Sequence, residues 1–139
     1  GYVHWGHDIS PEENQFEAGL QFTISFKKNT NFIGRESIEK LKDKNTNKKL
    51  KMITLKNSKP GQPLLLHDEP IFYKNKIVGR TTSGCFSFNF NKNLTFGYIN
   101  TGMSHKDIAS SEFEIEVEKI KYKASILEVP LNNKNLSKL

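Results

Sequence analysis

Residues 112–126, EFEIEVEKIKYKASI, constrain the fold more than any other stretch. Phe113, Ile115 and Val117 alternate with glutamates, and Ile120, Tyr122 and Ala124 alternate with lysines. A period of two marks a strand buried on one face. Two such runs in succession predict a hairpin whose outer face sets an acidic row beside a basic one, a pairing that opposite charges support. The same texture extends back to Leu50. Residues 50–56 alternate imperfectly, and IFY, a tight turn at Lys74, Asn75 and Lys76, then IVG read as a second hairpin. NLTFGYIN at 93–100 adds a further strand. Everything from Leu50 on reads as strand. Five or six short antiparallel strands separated by Gly and Pro turns predict a small barrel or jelly roll.

The first third of the chain is different. Ser10-Pro11-Glu12-Glu13 is a helix start: Ser10 caps, Pro11 suits the first position and Glu13 reaches back, while Asn14 and Gln15 limit it to one turn. Residues 19–26 alternate Leu20, Phe22, Ile24 and Phe26 with polar residues, which predicts a strand. Residues 34–43 predict a helix, with Ile38 and Leu41 three apart and Glu36–Lys40 as an outer pair. The polar run KNTNKK at 44–49 marks a domain boundary. The class is therefore α+β, mainly antiparallel β, with units at 1–49 and 50–131 and a flexible tail at 132–139.

A chain of 139 residues bounds the content to one domain or one and a fraction. The formal charge of +6 invites a nucleic-acid reading. Arg35 and Arg80 are the only arginines, however, and readers of phosphate and base edges favour the bidentate guanidinium. The lysines are also dispersed among glutamates, as on a solvated surface, so no nucleic-acid partner is expected. Cys85 stands alone, so no internal disulfide forms and a reducing compartment is expected. No apolar run approaches the roughly 18–20 residues that span a bilayer, so no membrane partner is expected. The first methionine is Met52, and the natural start of the gene product is expected upstream. His4, His7 and Asp8 supply too few ligands on one face for a metal site, and none is expected.

Four blocks in order carry a resemblance: GYVHWGHDI (1–9), ENQFEAGL (13–20), NFIGRESIEKLK (31–42) and IVGRTTSGCFSF with NLTFGYI (77–99). ILEVPL at 126–131 fits as well. Together they resemble the C-terminal part of the folate-dependent one-carbon transfer family. That family comprises the aminomethyltransferase, or T-protein, of glycine cleavage and the matching C-terminal modules of sarcosine and dimethylglycine dehydrogenases. The His-Trp-Gly wording at 4–6 is closer to the dehydrogenases. Gln15 departs from the proline usual before the apolar-Glu-Ala-Gly-Leu run.

The resemblance implies that 1–49 end a middle α+β domain begun upstream and that 50–131 form a jelly-roll-like barrel. It implies tetrahydrofolate as cofactor, with FAD only in an upstream domain if the protein is dehydrogenase-like. The family's catalytic Asp and the Glu that holds the pteridine would both precede residue 1, so no catalytic residue is expected here and the 139 residues alone would be inactive. Phe22 falls where relatives place an aromatic beside folate; otherwise it is a core residue of its strand. Lys28 falls where T-proteins place a base facing the folate carboxylates; otherwise it is a solvated strand end. Trp5 and Tyr2 either wall the pocket or plug the interface between the units. Cys85 reads as a buried or half-buried thiol, Gly84 as a special backbone conformation, and Arg35 and Arg80 as ion-pair partners between the units.

The function expected is the C-terminal part of a methylene-transfer module in a sarcosine- or dimethylglycine-dehydrogenase-like flavoenzyme. The alternatives are a stand-alone T-protein aminomethyltransferase and a non-catalytic folate-binding or scaffold protein. The partners expected are folate and upstream domains of the same protein. The location expected is the bacterial cytoplasm or the mitochondrial matrix.

Overall fold

A computed structural model describes residues 1–127 apart from 29, 43 and 45. The expected tail at 132–139 lies outside the described residues. Six strands close into an antiparallel barrel: β1 (Lys48–Leu55), β2 (Pro70–Tyr73), β3 (Lys76–Ser87), β4 (Lys92–Asn100), β5 (Glu112–Val117) and β6 (Ile120–Ile126). Their order around the barrel is β1-β4-β3-β2-β5-β6.

The charged hairpin forms in the register its alternation requires. Glu114 faces Lys123 and Glu116 faces Lys121 across β5 and β6. Glu118 and Lys119, with φ of 51° and 65°, make the two-residue turn that suits the strand twist. Lys74 and Asn75, at 48° and 62°, do the same between β2 and β3. That turn is one residue shorter than expected, because Lys76 already pairs with Tyr73.

Two apolar clusters result. Ile53, Leu55, Ile71, Ile99, Phe113 and Ile115 belong to the first, whose β-branched side chains suit a pleated surface. Leu50, Met52, Phe96 and Tyr98, on the other faces of β1 and β4, form the second, and Val3 and Ile9 pack against it. Both faces of β1 are thus covered, which explains why its alternation is imperfect in sequence.

Several expectations need correction. Residues 19–26 do not form a strand. Gln21–Thr23 is a 3-10 turn, and Thr23 N and Ile24 N donate locally to Leu20 O and Gln21 O. Alternation selects faces, but a strand also needs a neighbouring strand for its backbone groups, and here none among the described residues pairs with the segment, whose bonds are local or go to Gln15 O and Arg35. The all-strand reading after Leu50 omitted a helix, α2 (His105–Ser110), following α1 (Arg35–Lys42). Ser104 caps α2 by accepting from Asp107 N, and Ile108 is fully buried in the first cluster. Lys49 and Lys51, expected among solvated lysines, are buried. They share a face of β1 with Ile53 and Leu55 and carry their charges out to Met103 O (3.0 Å) and His105 Nδ1 (2.8 Å). The helix expected over 34–43 is present as α1, and the single turn at Ser10 is present with Glu13 bonded back to Ser10 N and Oγ.

Candidate functional site

The first nine residues lie against the outer face of β1 and β4 through a turn at 4–9. Gly6, at φ 89°, lets the chain reverse; Gly6 N donates to Ile9 O and Asp8 N to His4 O, each at 2.8 Å. The His4 and His7 rings stack on the outside, 4.8 Å apart. Asp8 points the other way and is buried. Its carboxylate accepts from His4 N (2.7 Å), Ser83 N (3.0 Å), Ser83 Oγ (2.7 Å) and Thr82 Oγ1. Burial alone would push the Asp8 carboxyl up, but the hydrogen bonds from Thr82, His4 and Ser83 outweigh it and hold it below the usual carboxylate range.

The barrel has a local device that supplies those donors. Thr81 pairs with Gly97 and Gly84 with Thr95, so β3 carries one extra residue between them: a β-bulge. The bulge takes Ser83 N out of the ladder with β4 and makes it available to Asp8. Gly84 closes it, and the reason is close approach rather than the special conformation expected. A Cβ there would lie 2.8 Å from Leu65 Cβ and 3.3 Å from Thr95 Cβ.

Further contacts fasten the segment. Tyr98 Oη donates to Asp8 O at 2.8 Å, and burial with Glu13, Glu17 and Asp8 nearby pushes its pKa well above the usual range. Lys48 Nζ sits 4.6 Å from the centre of the Tyr98 ring and bonds Glu13 Oε1 at 2.6 Å. Leu50 N donates to Glu17 O at 2.8 Å.

The four residues implied for a folate wall are all solvent-facing. Tyr2 is 100% exposed, Phe22 80% and Trp5 64%, so none of these rings is core. Phe22 sits on the 3-10 turn rather than in the packed strand that its core reading needed. Lys28 borders a cleft of about 470 Å³ together with Gln15, Ile24, Thr30, Phe32 and Ile38. Tyr2 borders a different cleft, of about 320 Å³, with Met52, Cys85, Phe90 and Phe96. Trp5 and Phe22 line neither of these two clefts.

Arg35 does not bridge the units. It pairs with Glu39 within α1 and donates to Lys28 O (3.0 Å), Thr30 O (3.2 Å) and Phe26 O (3.3 Å), clamping the loop that carries Lys28. Arg80 pairs with Asp68, just before β2, and the Cys85 thiol is exposed rather than half-buried. Sequence reasoning missed Thr82, Ser83 and the Arg35 clamp. The signal for the first two was a hydroxyl-rich run ended by glycine inside a strand, a recognised mark of a bulge.

A family model described as the glycine cleavage T-protein C-terminal barrel domain matches residues 48–132. The chain belongs to this family. The match coincides with the closed barrel, and similarity extends beyond it on the N-terminal side. Mouse mitochondrial dimethylglycine dehydrogenase is 30% identical over 127 residues, 91% of this chain and 14% of its own length. Mouse mitochondrial sarcosine dehydrogenase is 30% identical over 140 residues, 97% of this chain and 15% of its own. The aminomethyltransferase of Listeria welshimeri serovar 6b is 34% identical over 126 residues, 91% of this chain and 33% of its own. The barrel-domain chain therefore spans a third or less of the curated relatives it matches. A crystal structure of the glycine cleavage system aminomethyltransferase T from Bartonella henselae shares its fold, with a TM-score of 0.75 at 18% identity over 90% of this chain and 34% of that one. No helix among the described residues is long and apolar enough to cross a membrane.

Proposed function

We propose that these residues are the C-terminal part of a tetrahydrofolate-dependent one-carbon transfer module in a larger enzyme of the sarcosine and dimethylglycine dehydrogenase type. The observation that carries this reading is the similarity to the dehydrogenases over more than nine-tenths of the chain, which extends beyond the barrel. Residues 1–49 would finish a folate-binding domain whose remainder lies upstream, and 50–131 would be the barrel that backs it. The chemical centre and any FAD would belong to the upstream part. Soluble compartments, mitochondrial matrix or bacterial cytoplasm, suit such an enzyme.

The residue types present suit a folate. The exposed rings of Tyr2, Trp5 and Phe22 offer flat apolar faces for the pteridine or benzoyl ring, and Lys28 beside its cleft offers a point charge for the carboxylate tail. Bound tetrahydrofolate supplies the nucleophilic nitrogens that capture a one-carbon unit. The chain's own residues would bind and orient it: Lys28 by charge on a loop that Arg35 holds, and the exposed rings by stacking.

The identity to aminomethyltransferases favours a second reading, a stand-alone T-protein. Mass and absorbance of the natural gene product separate the two. A long chain carrying flavin absorbance supports the dehydrogenase reading; a chain about three times the length of this one (about 45 kDa at roughly 110 Da per residue) without flavin supports the other. Methylene transfer by the 139 residues alone would refute the placement of the chemistry upstream.

A further inference from the structure

Asp8 is 1% exposed, and its carboxylate gathers donors from two separate parts of the molecule. His4 N belongs to the turn at 4–9; Thr82 Oγ1, Ser83 N and Ser83 Oγ belong to the bulge in β3. A carboxylate accepting this many bonds satisfies both its oxygens, and an amide of the same shape cannot, because its nitrogen would face donors. The bulge exposes one backbone N–H and turns two neighbouring hydroxyls to the same point. That is more than packing requires, since the apolar contacts of Val3 and Ile9 already hold the segment to the barrel. Tyr98 Oη fixes the backbone of the same residue from the other side. Trp5 stands on this turn, and its main chain bridges to Ile9. Its ring is largely exposed, so its position comes from the turn's backbone and not from packing around the ring.

From this arrangement we infer that Asp8 is a positioning residue: the barrel, through Thr82 and Ser83, sets the turn that presents Trp5 to the folate. The inference rests on the folate reading above and adds a role for the barrel in ligand binding. Misplacing a binding group by about 1 Å is enough to change affinity or rate by one to two orders of magnitude.

The test uses the whole protein, with Asp8→Asn and the milder Ser83→Ala. A control, Ile115→Val in the first cluster, supplies a loss of melting temperature away from the turn. Tetrahydrofolate affinity and amide exchange in residues 4–9 are read for each. The expected result is a Kd raised about tenfold in Asp8→Asn and a few-fold in Ser83→Ala, with faster exchange across the turn in both. Ile115→Val should leave Kd and turn exchange unchanged. Kd that follows melting temperature alike in all three proteins would overturn the positioning role, as would unchanged Kd in Asp8→Asn and Ser83→Ala. Absence of tetrahydrofolate binding by the unsubstituted protein would instead overturn the folate reading, and the exchange data would still say whether the bulge holds the turn.

Discussion

Gly79 sits in β3 between Ile71 of β2 and Ile99 of β4, and an added Cβ would meet Tyr98 O at 1.8 Å and Tyr98 C at 2.9 Å. Both are backbone atoms, so no rotamer change relieves the contact. In Gly79→Ala the two strands must part by about 1.5 Å to reach ordinary van der Waals separation. Ladder hydrogen bonds near 3 Å do not survive that displacement. Each lost bond costs about 1 kcal/mol net, and each buried group left without a partner adds about 1–3 kcal/mol. With two bonds lost and one buried group left unpaired, the expected loss is about 3–5 kcal/mol, at the upper end for a point substitution. That corresponds to a fall of at least roughly 12 °C, and up to about 40 °C, in Tm for a unit the size of the barrel. Gly102 is an internal control: nothing lies within 4 Å of its added Cβ and its φ is ordinary. Gly102→Ala should be neutral or gain a few tenths of a kcal/mol. Urea melts of both variants, followed on the barrel transition, decide the matter. A loss under about 1 kcal/mol for Gly79→Ala, or equal losses for both variants, would refute the close approach of β3 and β4.

Three further outcomes are expected. His105 Nδ1 must be neutral to accept from Lys51 Nζ; burial first, then Lys51 and Lys49, hold its pKa below the usual imidazole value. The unfolded chain therefore takes up a proton that the folded chain resists, so stability falls as pH drops below about 6.5. His105→Gln, which keeps an acceptor but does not titrate, should flatten that part of the stability profile, and an unchanged profile would contradict the bond. Arg35→Lys removes the clamp on Phe26, Thr30 and Lys28 carbonyls; amide exchange at 26–30 should quicken while barrel stability stays within about 0.5 kcal/mol. Phe22→Ala in the whole protein should weaken tetrahydrofolate binding by roughly 1–3 kcal/mol with little change in melting, because an 80%-exposed ring contributes little to the core.

Sequence read the barrel well wherever one face alone is buried. The Glu and Lys rows of β5 and β6 are legible because alternation, charge and a turn agree. β1 is harder, since Leu50 and Met52 are covered by the N-terminal segment while Ile53 and Leu55 fill the first cluster. Its two lysines look like surface residues until Met103 O and His105 are found at their tips. The helix α2 was signalled by Ser104 and Asp107 but is too short for a periodicity argument. The strand expected at 19–26 failed for the opposite reason: the pattern is clear, but pairing is a long-range property. Asp8 shows the same limit at the candidate site. His4, His7 and Asp8 suggest a metal question when read along the chain, whereas the carboxylate is turned away from both rings toward residues 74 and 75 positions later. The Thr-Thr-Ser-Gly run hints at a bulge, but only the register of β3 on β4 shows that it meets Asp8.

The proposed function requires that this chain help to form a tetrahydrofolate site in a larger enzyme. Equilibrium binding of tetrahydrofolate to the whole protein, compared with Trp5→Ala and Lys28→Ala forms of equal melting temperature, tests it most directly. Saturable binding that both substitutions weaken is expected. Absence of saturable binding, or binding that neither substitution changes, would contradict it.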